Sequence, residues 1–255
     1  MIFAAFIFDK LLFNHPLFNQ MKGEIMQDNF LHEIEGLKTN LIKMASLVDE
    51  QVGKAGQALE TGDKELCRGV KQKDLEIDAY DNLIQTQCEN ILALFQPVAT
   101  DLRFIISAMM INNQLERCGD IAVNIAQRVK KVSEHHNLLI ESKILEMGKQ
   151  ARGMVKNSID AFVNSNIDLA NNVLDNDEIV DKLNKESFKF LVAKMQTNSD
   201  LIEPCSHLIV LSRHIERLAD HATNIAEDII FYINAEVISH RKKLSKHPDM
   251  LENLS

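Results

Sequence analysis

The sequence has 255 residues, 45% of them hydrophobic, with nine glycines, four prolines, no tryptophan and a formal net charge of −9. That apolar content excludes a disordered chain and suffices for a sizeable core, in one domain or in two of about a hundred residues each. The acidic balance argues against nucleic acid as a partner, because phosphate backbones are held by basic surfaces, and suits cations or a partner's basic patch.

The chain opens with M-I-F-A-A-F-I-F-D-K-L-L-F-N-H-P-L-F. Only eight residues precede Asp9 and Lys10, and no positive charge lies ahead of them. The stretch therefore lacks the plan of a secretory signal and is too short to span a bilayer. Residues 1–27 are expected to be an upstream extension, with Met21 and Met26 as alternative starts and an interfacial anchor as the competing reading.

From Phe30 onward apolar residues recur at three- and four-residue intervals, as in Leu37, Leu41, Met44, Leu47 and Val48, which predicts an amphipathic helix. E-T-G-D at Glu60 to Asp63 ends it: glycine stops one helix and aspartate caps the next. The second helix is predicted to run to about Phe95, with Pro97 in the first turn of a third that continues toward Ser133. The same plan returns with helices near Leu139 to Val163, Asp168 to Gln196 and Leu201 to Ser239, broken by N-S-N at Asn164 and T-N-S-D at Thr197.

Short connections set successive helices side by side and antiparallel, so the expected fold is all-α, two tandem three-helix bundles over residues 28–137 and 138–240. The joint is placed at the polar E-H-H-N from Glu134 to Asn137. A basic tail, residues 241–255, follows. Helices of about thirty residues are roughly 45 Å long, which implies an elongated molecule. Cys67, Cys88, Cys118 and Cys205 show no C-x-x-C spacing and lie inside helical patterns. They are expected to be reduced core residues in an intracellular setting.

Two stretches a hundred residues apart carry the strongest signal: E-R-C-G-D-I-A-V-N-I-A-Q from Glu116 and E-R-L-A-D-H-A-T-N-I-A-E from Glu216, identical at seven of twelve positions. Each is preceded by another acidic pair, Asp74 with Asp78 and Asp177 with Asp181, 42 and 39 residues upstream respectively. Carboxylates four apart share one helix face, about 6 Å apart along the axis. One such pair on a solvated helix costs only a few tenths of a kcal/mol and ordinarily means nothing. Four pairs in parallel places carry more weight. If the second and third helices of a half oppose their pairs, four carboxylates converge, and either protons or a cation must answer the repulsion. An all-oxygen donor set suits Mg²⁺, Ca²⁺, Mn²⁺ or iron better than Cu(I).

Asn124 and Asn224 continue the same stripes four residues after each motif aspartate, as hydrogen-bonding partners of the site or as plain surface amides. His221 adjoins Asp220, but neighbours on a helix point about 100° apart, which favours a surface or interface role. No histidine has a glutamate three residues before it, against the ferritin-type di-iron pattern, and the chain carries neither a Walker A loop nor a G-x-G-x-x-G turn.

The chain resembles the PhoU family of phosphate-signalling regulators. The likeness is carried by P-V-A-T-D-L-R from Pro97, by the two motifs at Glu116 and Glu216, and by D-L-E-I-D and D-E-I-V-D at the other acidic pairs, and it covers about residues 28 to 240. The resemblance implies two homologous three-helix bundles related by a pseudo-twofold axis. It also implies multinuclear metal clusters, often iron or zinc. Carried over by position, the first site uses Asp74, Asp78, Glu116 and Asp120, and the second Asp177, Asp181, Glu216 and Asp220. It further implies a cytoplasmic adaptor without catalytic activity. Such an adaptor represses phosphate-starvation genes by linking the phosphate ABC transporter, through its ATPase subunit, to a sensor histidine kinase, and reaches the membrane only through partners. Exposed apolar positions on long helices point to a homodimer. The competing readings are an accessory regulator of a different, low-affinity phosphate transporter and a di-metal enzyme on a helical bundle.

Overall fold

A computed structural model describes residues 16–237, with side chains placed from Met26 onward. The segment before Pro16 and the basic tail lie outside the described residues. Seven helices follow one another: α1 Pro16–Thr61, α2 Lys64–Phe95, α3 Ala99–Val132, the short α4 His136–Glu141, α5 Ile144–Asn164, α6 Ile167–Thr197 and α7 Ile202–Asn234. Single 3₁₀ turns at Ser133–His135 and Ser199–Leu201 join them.

The helix breaks follow local chemistry. Gly62 adopts φ +71°, the left-handed conformation that closes a helix and that glycine reaches without steric cost. Asp63 then accepts hydrogen bonds from the N–H groups of Glu65 at 2.7 Å and Leu66 at 3.4 Å, satisfying donors that α2 leaves free. The second half repeats the device. Ser165 is left-handed and Asn166 caps α6 through the Leu169 N–H at 3.1 Å. Asp63 and Asn166 are 103 positions apart, and this offset relates α1 and α2 to α5 and α6, while α3 and α7 are related by 100.

One local expectation differs from the structure. Pro97 precedes α3 instead of sitting in its first turn. Its ring disfavours a helical residue before it, so α2 stops at Phe95, Gln96 turns left-handed, and the extended Val98 leads into Ala99. The segment from Glu134 to Asn137 takes a 3₁₀ turn and the start of α4, because Leu138 and Leu139 are buried and draw α4 onto the core. The chain breaks later, at Lys143, which adopts φ +62°.

The tandem three-helix architecture is the one expected: α1, α2 and α3 pack together, as do α5, α6 and α7, with no strand among the described residues. The two bundles share one core. Along their seam α3 and α7 run antiparallel, since Phe104 near the start of α3 stacks on Tyr232 near the end of α7, with ring centres 5.5 Å apart. At the other end Arg128 Nη1 lies 3.1 Å from His207 Nδ1. Antiparallel pairing of two equivalent helices is what a pseudo-twofold axis requires. Residues 111–120 and 211–220 are buried, half-buried and exposed in the same order at every position. The helices α1 and α5 also meet across the seam. A Cβ on Gly148 would come within 2.6 Å of Leu59 Cδ2, so glycine sets their close approach.

Candidate functional site

In the first half, α2 supplies Asp74 and Asp78 and α3 supplies Glu116 and Asp120. Asp74 is half-buried, and Gln51 of α1, wholly inside the core, donates from Nε2 to its Oδ1 at 3.1 Å and to the Val70 carbonyl at 3.0 Å. Burial pushes the Asp74 carboxyl above its ordinary range, the Gln51 bond pulls against it, and Asp78 and Asp120 push the same way. Burial likewise raises Glu116, with Asp120, Asp81 and Asp78 adding to the rise and Arg117 opposing it. Asp74 and Glu116 therefore each feel acids of the facing helix across the α2–α3 pair.

A fifth acid joins them. Asp81 is raised by burial, held back by Asn112, which donates from Nδ2 at 2.6 Å, and raised again by Asp78. It lies seven residues after Asp74, two turns along the same stripe, and this spacing was the signal available in the sequence. Gln51 and Asn112 could not be found that way, because they reach their acids across helices. Gly119 makes room for the arrangement, since a Cβ there would stand 3.0 Å from Gln51 Oε1.

In the second half, α6 supplies Asp177 and Asp181 and α7 supplies Glu216 and Asp220. Burial raises Glu216 first, Asp220 adds to the rise, Arg213 opposes it, and Asp181 and Asp177 contribute further. Glu216 Oε1 accepts from Arg213 Nη1 at 3.0 Å, while its Oε2 is buried with no hydrogen-bond partner. Lys185 Nζ lies 3.6 Å from Asp181 Oδ2.

Each half thus brings its four sequence-predicted acids to one helix pair. They do not close on a point: among the described residues no three histidine, cysteine, aspartate or glutamate side chains form a ready metal cage. Raised carboxyls and open geometry are compatible, because burial is the first cause of the rise at Asp74, Glu116 and Glu216, and neighbouring acids add to it without touching. The donor chemistry fits a hard or intermediate cation, and the orphaned Glu216 oxygen supplies a buried acceptor lacking a donor.

The neighbouring polar residues divide differently. Asn224 donates to Gln114 Oε1 at 3.2 Å, and His221 Nδ1 lies 2.7 Å from that same oxygen, so both serve the α3–α7 seam. Burial, with Arg117 and Arg217 nearby, pulls the His221 imidazole down to about 4, which keeps it neutral. Asn124 is half-buried on α3. All four cysteines are free and buried, and burial pushes the Cys88 and Cys118 thiols up to about 12. Among the described residues no helix is long and apolar enough to cross a membrane.

Comparison with known proteins places this geometry. The PhoU domain model matches twice, over residues 41–129 and 144–229, once on each bundle. The chain belongs to the PhoU family. A phosphate-specific transport system accessory protein PhoU homolog of Caulobacter vibrioides is 34% identical over 214 residues, covering 83% of this chain and 93% of the relative. A homolog of the same description in Clostridium acetobutylicum is 32% identical, covering 82% and 96%. The crystal structure of PhoU from Pseudomonas aeruginosa superposes with a TM-score of 0.76 at 33% identity, over 81% of this chain and all of that one. The phosphate transport system regulatory protein PhoU from Streptococcus pneumoniae gives 0.74 at 30% identity, over 82% and 99%. The expected family and fold are therefore shown, and the relatives are described as accessory and regulatory proteins of phosphate transport.

Proposed function

We propose that this chain is a cytoplasmic, metal-binding adaptor, with no catalysis of its own. In this reading it negatively regulates phosphate uptake and starvation signalling by linking the phosphate ABC transporter, through its ATPase subunit, to a sensor histidine kinase. The observation that carries the reading is the acidic face built twice, once on each PhoU domain, in which burial raises Asp74, Glu116 and Glu216 and neighbouring acids add to each rise. Asp74, Asp78, Glu116 and Asp120 would hold metal in the first half, and Asp177, Asp181, Glu216 and Asp220 in the second; iron or zinc are favoured, with Mn²⁺, Mg²⁺ or Ca²⁺ as alternatives. A bound cation would supply positive charge to each acidic helix pair. The chain's own part is to fix the opposing helices, so that the surface offered to partners responds to the charge state of the acids. Exposed Leu75, Leu83 and Leu94 on α2 support assembly as a homodimer.

The test is elemental analysis of protein purified without chelator, comparing wild type with Glu116→Gln/Asp120→Asn and Glu216→Gln/Asp220→Asn. The expected result is more than one metal ion per chain, lost half by half in the two variants. No metal in any sample after reconstitution would remove the metal from the proposal.

A further inference from the structure

The two halves differ beside their acidic faces. Between α6 and α7 runs a groove of about 340 Å³ with Phe188 and Ile209 among its lining residues and Lys185, Lys189 and Arg213 at its rim. Phe188 is 51% exposed, which is unusual for a large aromatic ring. No carboxylate lines the groove itself, although the whole chain carries a charge of −9; the nearest acids, Glu178, Asp181 and Glu186, line an adjoining hollow on the far side of Lys185 and Lys189. The equivalent positions in the first half are Gln85 for Phe188, Asn82 for Lys185, Thr86 for Lys189 and Asn113 for Arg213, none of them apolar or charged. The aromatic ring and all three rim cations are therefore peculiar to the second half, where fold alone does not demand them.

We propose that the α6–α7 groove docks an acidic segment of a partner protein, seating one apolar side chain on Phe188 and Ile209 and placing carboxylates against Lys185, Lys189 and Arg213. The charge pattern selects this occupant: a basic segment, this chain's own basic tail included, meets three like charges there. Two of the cations are already engaged: Lys185 with Asp181 in an exposed pair, which contributes little, and Arg213, itself 61% exposed, with the largely buried Glu216. Lys185 can turn to an incoming carboxylate at small cost, and the five N–H donors of Arg213 suffice to meet a second carboxylate while it holds Glu216. An aromatic anchor inside a cationic rim is the arrangement in which a few residues carry most of the affinity and charge sets the selectivity. The proposal rests on the adaptor reading and gives it one of its partner surfaces; docking does not require metal, but Lys185 and Arg213 pair with Asp181 and Glu216, so a cation held by those acids would alter its strength.

The experiment uses the full chain and a fluorescently labelled amphipathic peptide with Phe and Leu on one helical face and glutamates flanking it. A second peptide has every glutamate replaced by lysine, and anisotropy reads binding. The variants install the first half's own residues: Phe188→Gln, Lys189→Thr and Lys185→Asn. The expected result is binding of the acidic peptide alone, weakened by added salt, with a loss of about tenfold or more in Phe188→Gln and about fivefold in each lysine variant. Equal binding of the lysine peptide, no binding by wild type, or unaltered binding in Phe188→Gln would overturn the proposal. A change of oligomeric state in Phe188→Gln, read by sedimentation, would also overturn it, assigning the groove to a second copy of this chain. Metal content of the same samples separates the two ideas. Wild type that binds peptide without metal contradicts only the metal reading, and wild type that holds metal but ignores the peptide contradicts only the docking surface.

Discussion

In the first half the acids are held by neutral amides, Gln51 on Asp74 and Asn112 on Asp81; in the second they are held by cations, Lys185 on Asp181 and Arg213 on Glu216. The helices and the two acidic pairs were kept when the unit was duplicated, while the fifth acid and the immediate partners were not. Met154 occupies the place of Gln51, Asn184 that of Asp81, Ser212 that of Asn112 and Ala219 that of Gly119. The contrast has a physical meaning. An amide bonded from inside the core stays with its carboxylate whatever else approaches, whereas an exposed lysine or arginine can be drawn elsewhere by another charge. One face is thus buttressed and the other exchangeable.

The largest effect that would break the comparison concerns the shared core. Leu115 and Ile215 are equivalent and wholly buried. Leu115→Ala and Ile215→Ala should each cost about 2–5 kcal/mol. Because one core serves both bundles, each variant should melt in a single transition by calorimetry. Two separated transitions would show that the halves unfold independently.

A middle-sized effect comes from a site where the pseudo-twofold fails. Arg128 pairs with His207, but the equivalents are Asp228 and Ser107, and the Ser107 hydroxyl is buried without a partner. Burial, with Glu227 adding to it, pushes the Asp228 carboxyl up to about 7 from an ordinary 3.8. The native state therefore takes up this proton before the unfolded chain does. The penalty of ionising Asp228 is absent below about pH 4, grows through the window to about pH 7 and is complete above it. Asp228→Asn should gain roughly 1–4 kcal/mol at pH 8 and nothing at pH 4. Urea unfolding across that range gives the answer, and a gain independent of pH would contradict the assignment.

The smallest effect sharpens the contrast between the acidic faces. Gln51→Met gives the first half the residue of the second, and should cost about 1 kcal/mol at pH 7 and move the Asp74 titration further upward, as followed by NMR. The reverse exchange, Met154→Gln, should find no equivalent bond, because the Cβ of Ala219 fills the space that Gly119 leaves open. If Met154→Gln proved stabilising, the two faces would be more alike than their partners indicate.

Much of the fold was legible because its signals are local. The three- and four-residue period, Gly62 with Asp63, and Asn166 each act within a turn or two of themselves. The acids were legible for the same reason, since a spacing of four fixes a shared face. The buttressing residues were not, because Gln51 reaches α2 from α1 and Asn112 reaches α2 from α3, and no short-range pattern encodes such contacts. The helical turn at the joint from Glu134 to Asn137 was not legible in its polar residues, because it is Leu138 and Leu139 next to them that bury and pull the segment into a helix. Pro97 was set one step too far into α3, the ring's effect on the residue before it having decided the matter.

The four buried thiols give the molecule a set of internal clocks. Cys67 and Cys88 lie on α2, Cys118 on α3 and Cys205 on α7, so three sit in one bundle and one in the other. A thiol that is both shielded and protonated reacts with an alkylating reagent only when its helix opens. The rate at which each cysteine is modified in the native protein therefore times the opening of its own segment, and the order of the four rates would reveal which bundle yields first.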